Sequence, residues 1–355
     1  MMEENKSLDQ VVCIIYDVLM YFAEAVAKSL KLPSIISAMY RLVLCWILIP
    51  FLGSKPKDLV PGLHPLRFKD LPISNMGSLD DVVKLAMDSR TTRISSAIIW
   101  NTIDHLEHSS LEQLHQLYNV PFFSIGPLHK MALATSTSLL IEDTDCIEWL
   151  DKQAPLSVLY ISLGSLATVD KKEIAEMAWG LANSGRPFLW VVRPGSVRDS
   201  ESAELLPEGF KEQIRERGHI VKWAPQKEVL AHGAVGGFWS HCGWNSTLES
   251  ICEGVPLICM PHFADQNVTA RYLCHVWKIG LELEHELERG EIEKVVKRLM
   301  TDKEGEELRQ RAGDMKEKVE LCTREAGLSY NSLNDLAEFI LSFQRSSLFT
   351  LQPWL

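Results

Sequence analysis

The feature that most narrows the fold is a regular alternation between residues 157 and 276. Short apolar runs stand at Ser157–Leu163, Pro187–Val192, His219–Trp223, Val235–Ser240 and Leu257–Met260. Each is followed by a stretch predicted to be helical, in turn Lys171–Ala182, Phe210–Arg217, Gln226–Ala231, Ser246–Glu253 and Asp265–Val276. A strand that is apolar along its whole length leaves no face for water, so both faces must be covered. Helices threaded between such strands predict an α/β fold built on a parallel sheet. In sheets of that kind ligands bind beyond the carboxyl ends of the strands. Helices over Glu291–Met300, Glu304–Arg324 and Ser332–Phe343 follow.

A second, less regular set of signals precedes this one. Val11–Tyr16 is apolar and stops at Asp17, a helix is predicted over Leu19–Leu30, and strands over Ser34–Ile36, Ala97–Trp100 and Phe122–Ile125. Residues 53–82, rich in Pro, Gly and Lys, read as loop. With 355 residues, one hydrophobic core is too few, and two domains are expected. The polar, aperiodic stretch after residue 130 reads as their connection. The predicted division is 1–130, a linker 131–145, a second domain 146–330, and a C-terminal helix and tail 331–355.

Composition removes several classes of function. A formal net charge of −11 disfavours nucleic acid, whose phosphates call for clustered Lys and Arg. A small phosphorylated ligand stays open, because backbone amides and helix ends can supply local positive potential. The eight Cys form no CxxC pair and suit neither zinc nor a disulfide framework, so reduced thiols in a cytoplasmic protein are expected. The opening MMEENKSLDQ is not a signal peptide, and the apolar run Leu42–Leu52 is too short to span a bilayer and reads as a buried helix.

The chemistry concentrates between Trp223 and Gln266. Trp223 offers a flat face for a base, and Gly243 lets the main chain approach a phosphate. Asn245 and Ser246 sit at a predicted helix start, where N–H groups and the helix dipole favour an anion. His241 can donate to a phosphate oxygen, and Glu249 can accept from ribose hydroxyls. Asp265 and Gln266 suit sugar hydroxyls, and Gly164-Ser165 ends the first strand of this domain. Taken singly, each has a plainer role: Asn245 and Ser246 as a helix cap, Trp223 as core, His241 as a structural histidine, Asp265 as a cap. Their joint appearance at the ends of three strands expected to be neighbours, those ending at Trp223, His241 and Pro261, points to a nucleotide-sugar site around one crevice.

Residues 223–266, with WAPQ, HCGWNSTLES and a closing DQ, closely resemble the signature box of plant family-1 UDP-glycosyltransferases. The wider likeness takes in Cys146–Gly164 and Val192-Arg193-Pro194. The resemblance implies the GT-B fold, two Rossmann-like domains with parallel sheets. It implies that Trp223, Ala224 and Gln226 with Glu249 hold uridine and ribose, and that Ser165, His241, Gly243, Asn245 and Ser246 meet the diphosphate. Trp244, Asp265 and Gln266 are implied as sugar contacts, with the final Gln similar to glucose users. The implied reaction is an inverting transfer from UDP-glucose to a hydroxyl or carboxyl of a small lipophilic plant metabolite. No metal and no further cofactor are expected, nor a membrane span, and a monomer is.

In that family the base is a histidine in an N-terminal Gly-His-x-x-Pro turn, which this sequence lacks. Asp17 matches the aspartate that orients it, or it is a strand-end cap. The N-terminal domain therefore reads as incomplete, with two outcomes expected: weak transfer, favoured by acidic acceptors, or a non-catalytic remnant that binds UDP-sugar. Asp143-Thr144-Asp145 fits a DxD pattern but reads as a solvated turn, and Cys274-His275 as packing.

Overall fold

The computed structural model describes residues 11–20, 22–38, 57–60, 64–71, 95–117, 119–131, 140–198, 206–283 and 287–349. The apolar run Leu42–Leu52 lies outside them. The chain separates into two compact units. One comprises Met1–Leu52, Met76–Leu133 and Lys318–Leu355, the other Gly53–Asn75 and Ala134–Glu317.

The first unit carries a parallel sheet of β1 (Ile14–Asp17), β2 (Ser34–Ala38), β3 (Ala97–Trp100) and β4 (Phe122–Ser124), in that order. Apolar side chains of three strands, Ile35, Ile99 and Phe123, form its core with Leu336 of the long helix Leu328–Phe349. A polar knot anchors the helix Phe22–Leu30: Glu24 Oε2 accepts from the hydroxyls of Tyr16 at 2.8 Å and Ser34 at 2.6 Å. The Tyr16 hydroxyl also lies 3.1 Å from Ser95 Oγ, so the buried polar groups satisfy one another. The helix Asp104–Leu117 escaped the sequence reading, because its weakly amphipathic DHLEHSSLEQLHQL has no clear apolar stripe.

The second unit is a six-stranded parallel sheet, ordered β10-β9-β8-β5-β6-β7. These strands are β5 (Val158–Ser162), β6 (Phe188–Val191), β7 (Gly218–Val221), β8 (Val235–Ser240), β9 (Leu257–Cys259) and β10 (Gly280–Glu282). Every residue of β5, β6, β8 and β9 is buried, as a sheet covered on both faces requires. The short edge strand β10 was not legible in the sequence. The sheet grows from β5 outward to β6 and β7, then the chain returns to β8 on the other side of β5. Order reversal of this kind opens a crevice between the first strands of the two halves, here β5 and β8.

The sheet order corrects one sequence expectation. The strands ending at Trp223, at His241 and at Pro261 are not all neighbours: β7 is the far edge of the sheet, with β6 and β5 between it and β8. Succession along a chain is not adjacency in a doubly wound sheet. The helix predicted over Asp265–Val276 also differs, being α-helical over Gln266–Arg271 and then a π-turn over Tyr272–Val276.

Part of the predicted loop 53–82 belongs to this second unit. Arg67 pairs with Asp70 at 2.8 Å and with Glu282 of β10 at 3.2 Å, all three side chains well buried. Arg271 donates to the Pro65 carbonyl at 2.9 Å and lies 3.8 Å from both Asp70 and Glu282. A bidentate guanidinium–carboxylate fork can hold so remote a segment in place because both charges are matched where water is scarce.

The helices Lys171–Ser184 and Arg289–Met300 pack closely, and Gly180 is where they meet. A Cβ there would stand 2.6 Å from Ile292 Cβ. Replacing a helical glycine by alanine on an open surface gains about 1 kcal/mol, whereas overpacking a tight core costs about 1–3 kcal/mol. Gly180→Ala is therefore expected to lower stability in urea denaturation, by up to about 2 kcal/mol. A gain in stability would show that the contact yields.

Candidate functional site

The crevice between β5 and β8 is built around one imidazole. His241 follows β8 directly, and Gly164 follows β5 by two residues. Gly164 holds φ +73°, and a Cβ there would sit 2.6 Å from the His241 ring. Gly243 meets the same ring from the other side of the loop. The two glycines thus fix where His241 lies, because any side chain at either would displace it. Burial drives the His241 pKa down to about 4, with the charge of neighbouring His262 adding to the shift and a main-chain bond to Ser162 opposing it. Its Nδ1 is buried with no hydrogen-bond partner among the described residues.

The helix Trp244–Glu253 begins at this loop, with Gly243 as its N-cap. Glycine brings no side chain of its own to cap the helix, so the main chain at the helix start can be approached closely. Asn245 and Ser246 lie within the first turn rather than at the cap position, which sets aside their reading as a simple cap. Asn245 is exposed and Ser246 part-buried. The Trp244 ring is buried and tilted against Trp277, with centroids 6.3 Å apart, so it serves as packing.

A second cluster sits one turn further along. The Gln226 side-chain amide donates from Nε2 to Glu249 Oε2 at 2.6 Å and to Ser246 Oγ at 3.0 Å. The Tyr160 hydroxyl, from β5, donates to Gln226 Oε1 at 3.3 Å. Burial raises the Glu249 pKa, while the bond from Gln226 and the charge of Lys227 hold it down. After β7, Trp223-Ala224-Pro225 carries the chain back across the sheet and delivers Gln226 to this cluster. Trp223 is part-buried and its carbonyl accepts from the Asp143 N–H at 2.9 Å; Ala224 is buried. The structure therefore brings Gln226, Ser246 and Glu249 together, and His241 with the loop glycines. Among the described hydrogen bonds and ring pairs, none joins the Trp223 indole to either group.

The remaining candidates are placed as follows. Ser165 is exposed just beyond Gly164. Asp265 and Gln266 are buried at 4% exposure each, and Asp265 makes no capping bond to the helix it precedes. Gln266 Oε1 accepts from the main-chain N–H of His262 at 2.8 Å and of Phe263 at 3.1 Å, so its carbonyl shapes the loop and its amide N–H groups face elsewhere. In the other unit, Asp17 Oδ1 accepts from the Leu19 N–H at 2.9 Å, a turn at the end of β1 that leaves its second oxygen for another donor. Asp143 Oδ1 accepts from the Asp145 N–H at 3.1 Å on the surface, the geometry of a solvated turn. The sequence reading missed Tyr160 and His262. A tyrosine within the otherwise aliphatic VLYIS is a usable signal, because a hydroxyl on a fully buried strand has to find a partner; His262 gave none.

A parallel sheet with reversed order, a glycine-capped helix start, an imidazole held between loop glycines and an amide–carboxylate pair are groups from which a nucleotide-sugar site can be built. Comparison with known proteins agrees. Residues 144–309 match the family model described as UDP-glucoronosyl and UDP-glucosyl transferase. The chain is 53% identical over 353 residues to UDP-glycosyltransferase 76E1 of Solanum lycopersicum, covering 96% of this chain and 74% of that protein. It is 50% identical to the flavonol 3-O-glucosyltransferase UGT76E12 of Arabidopsis thaliana, covering 94% and 76%. Among solved structures, UGT2 of Phytolacca americana with UDP-2fluoro-glucose and pterostilbene superposes with TM-score 0.79 at 33% identity, covering 93% of this chain and 75% of that one. TcCGT1 in complex with UDP gives 0.82 at 30% identity, covering 96% and 80%.

The chain belongs to the plant UDP-glycosyltransferase family. It is a transferase of the GT-B fold class that uses a UDP-sugar as co-substrate. The reading as a non-catalytic remnant finds no support, since the relatives it matches are transferases by name.

A histidine whose native pKa lies below its unfolded value near 6.5 is held neutral by the fold. Its contribution to stability is complete above pH 6.5 and is lost as pH falls from there to about 4, because the unfolded chain then binds the extra proton. The loss from this group is at most about 3 kcal/mol. Unfolding free energies measured between pH 7 and 4 are expected to fall less steeply for His241→Asn than for the parent. Parallel slopes would contradict a buried neutral imidazole.

Proposed function

We propose that the second unit holds UDP-glucose at the crevice between β5 and β8, and that the sugar passes with inversion to a hydroxyl or carboxyl of a small lipophilic plant metabolite. The observation that carries this reading is the convergence, at the reversal of strand order, of His241, the Gly243-capped helix start and the Gln226–Ser246–Glu249 cluster. Relatives named as a flavonol 3-O-glucosyltransferase and as a complex with UDP-2fluoro-glucose support the donor and the acceptor class.

Each group has a physical task. The diphosphate lies over the start of the helix Trp244–Glu253, where the dipole presents roughly half a positive charge. Ser165, Asn245, Ser246 and the loop amide of Gly243 donate to its oxygens. His241 is neutral at pH 7, so it acts as an N–H donor rather than as a cation. Gln226 and Glu249 accept from the ribose hydroxyls, and Trp223 and Ala224 flank the uracil. Trp244, Asp265 and Gln266 border the sugar, Trp244 through its main chain because its ring is buried.

In the transfer step, an oxygen lone pair of the acceptor forms a bond to the anomeric carbon from the face opposite UDP. The bond from that carbon to the β-phosphate oxygen breaks, and its electrons leave with UDP. Fixed donors aimed at the departing oxygen stabilise this charge where it develops. That arrangement replaces the usual service of a divalent cation, and we infer that transfer needs none. On the acceptor side we read Asp17, with one carboxylate oxygen accepting from the Leu19 N–H, as the match to the family's orienting aspartate, whose Gly-His-x-x-Pro partner this sequence does not supply. The acceptor proton passes to solvent water as the new bond forms, and an acidic acceptor gives it up more readily.

Incubation with UDP-glucose and a panel of acceptors, with products followed by mass spectrometry, tests this. Glucosides are expected to form, in a reaction indifferent to EDTA, with phenols and carboxylic acids reacting faster than aliphatic alcohols of similar size. Trp223→Ala is expected to raise the KM for UDP-glucose about tenfold or more, the order of one lost base-stacking contact. Absence of glucoside from every acceptor would refute the assignment.

A further inference from the structure

Resting on that reading of the donor site, we propose that Tyr160 is a positioning residue for UDP-sugar binding, fixing the Gln226 side-chain amide so that only hydroxyl-bearing riboses are gripped. Tyr160 lies on the central strand β5, is 1% exposed, and stacks on Phe238 of β8 with ring centroids 5.0 Å apart. Burial pushes its pKa well up, a bond with the Ser162 side chain opposes the rise and the Glu249 charge adds to it, so the hydroxyl keeps its proton, which it donates to Gln226. It reaches Gln226 Oε1 at 3.3 Å. The two amide hydrogens of Gln226 are already taken, by Glu249 Oε2 at 2.6 Å and Ser246 Oγ at 3.0 Å.

The consequence is a count of what remains. A side-chain amide has two N–H donors and an oxygen with two lone pairs. Here both donors and one lone pair are used within the protein. Gln226 can therefore offer a ligand a single acceptor position, and Glu249 its other carboxylate oxygen, Oε1. Both face the ligand as acceptors, and both need a ligand O–H. A flipped Gln226 amide would turn its oxygen onto the Glu249 carboxylate and its nitrogen onto the Tyr160 donor. Glu249, an acceptor only, thereby excludes the flipped orientation, and Tyr160 holds the oxygen of the remaining one in place.

Titration calorimetry with the full chain separates this proposal from the function itself. The probes are UDP and its analogue lacking both ribose hydroxyls, 2′,3′-dideoxyuridine diphosphate. The parent chain is expected to prefer UDP. Tyr160→Phe, which keeps the ring stack, is expected to weaken UDP by about two- to tenfold, the span of one neutral hydrogen bond, and to leave the dideoxy analogue unchanged. In a Gln226→Ala background the same substitution is expected to cost nothing more. Equal loss for both ligands, additive loss in the Gln226→Ala background, or UDP binding unchanged in Tyr160→Phe would each overturn the positioning role. Failure of the parent chain to bind UDP would instead remove the donor-site reading, and is visible before any variant is made.

Discussion

Reversal of strand order between β5 and β8 is the constraint on which the donor site depends. Loops after neighbouring strands in one half of such a sheet turn the same way, and leave no gap. At the reversal they turn apart, and a ligand can reach the ends of both strands and the start of the following helix. Gly164, His241 and Gly243 are packed into that gap so closely that each glycine's missing Cβ is part of the histidine's place. The chain then crosses back from β7, the distant edge, to bring Gln226 to the same opening. The site is thus assembled from three separated stretches held by one sheet.

The electrostatics follow from burial more than from charge. A chain with net charge −11 has to hold an anion, yet the imidazole in the crevice is neutral at pH 7. On the proposed reading, what attracts the diphosphate is the dipole and main chain of a helix start capped by glycine, reinforced by short polar side chains. Fixed dipoles of this kind need no reorganisation as charge moves onto the leaving oxygen. Glu249 is treated likewise: burial opposes its charge, and the Gln226 amide sustains it. Polar groups arranged this way are satisfied among themselves on one side and open on the other, which is how a buried cluster can exist without a ligand and still bind one.

The fold of the second unit was largely legible because its strands are buried on both faces and therefore read as unbroken apolar runs. Strand order was not, since the sequence carries the succession β7, β8, β9 while the sheet places β7 three positions from β8. The edge strand Gly280–Glu282 escaped for its brevity, and the helix Asp104–Leu117 for want of an apolar stripe. For the candidate site, residue types and spacing singled out His241, Ser246 and Glu249, and the family resemblance added Gln226; the structure joins Gln226 to Ser246 and Glu249 and sets His241 among the loop glycines. They could not reveal that Trp244 faces the core or that the Gln266 carbonyl is spent on its own loop, because those depend on packing between distant elements. Tyr160 sits in a strand whose apolar character masked its hydroxyl.

Hydrogen–deuterium exchange of the chain with and without UDP tests most directly whether the ligand seats at this reversal. Slower exchange is expected at residues 164–166, 224–228 and 241–246, which contain the loops after β5 and β8 and the start of the helix Trp244–Glu253. Protection confined to the sheet of the first unit, or to segments of the second unit far from β5 and β8, would contradict the account.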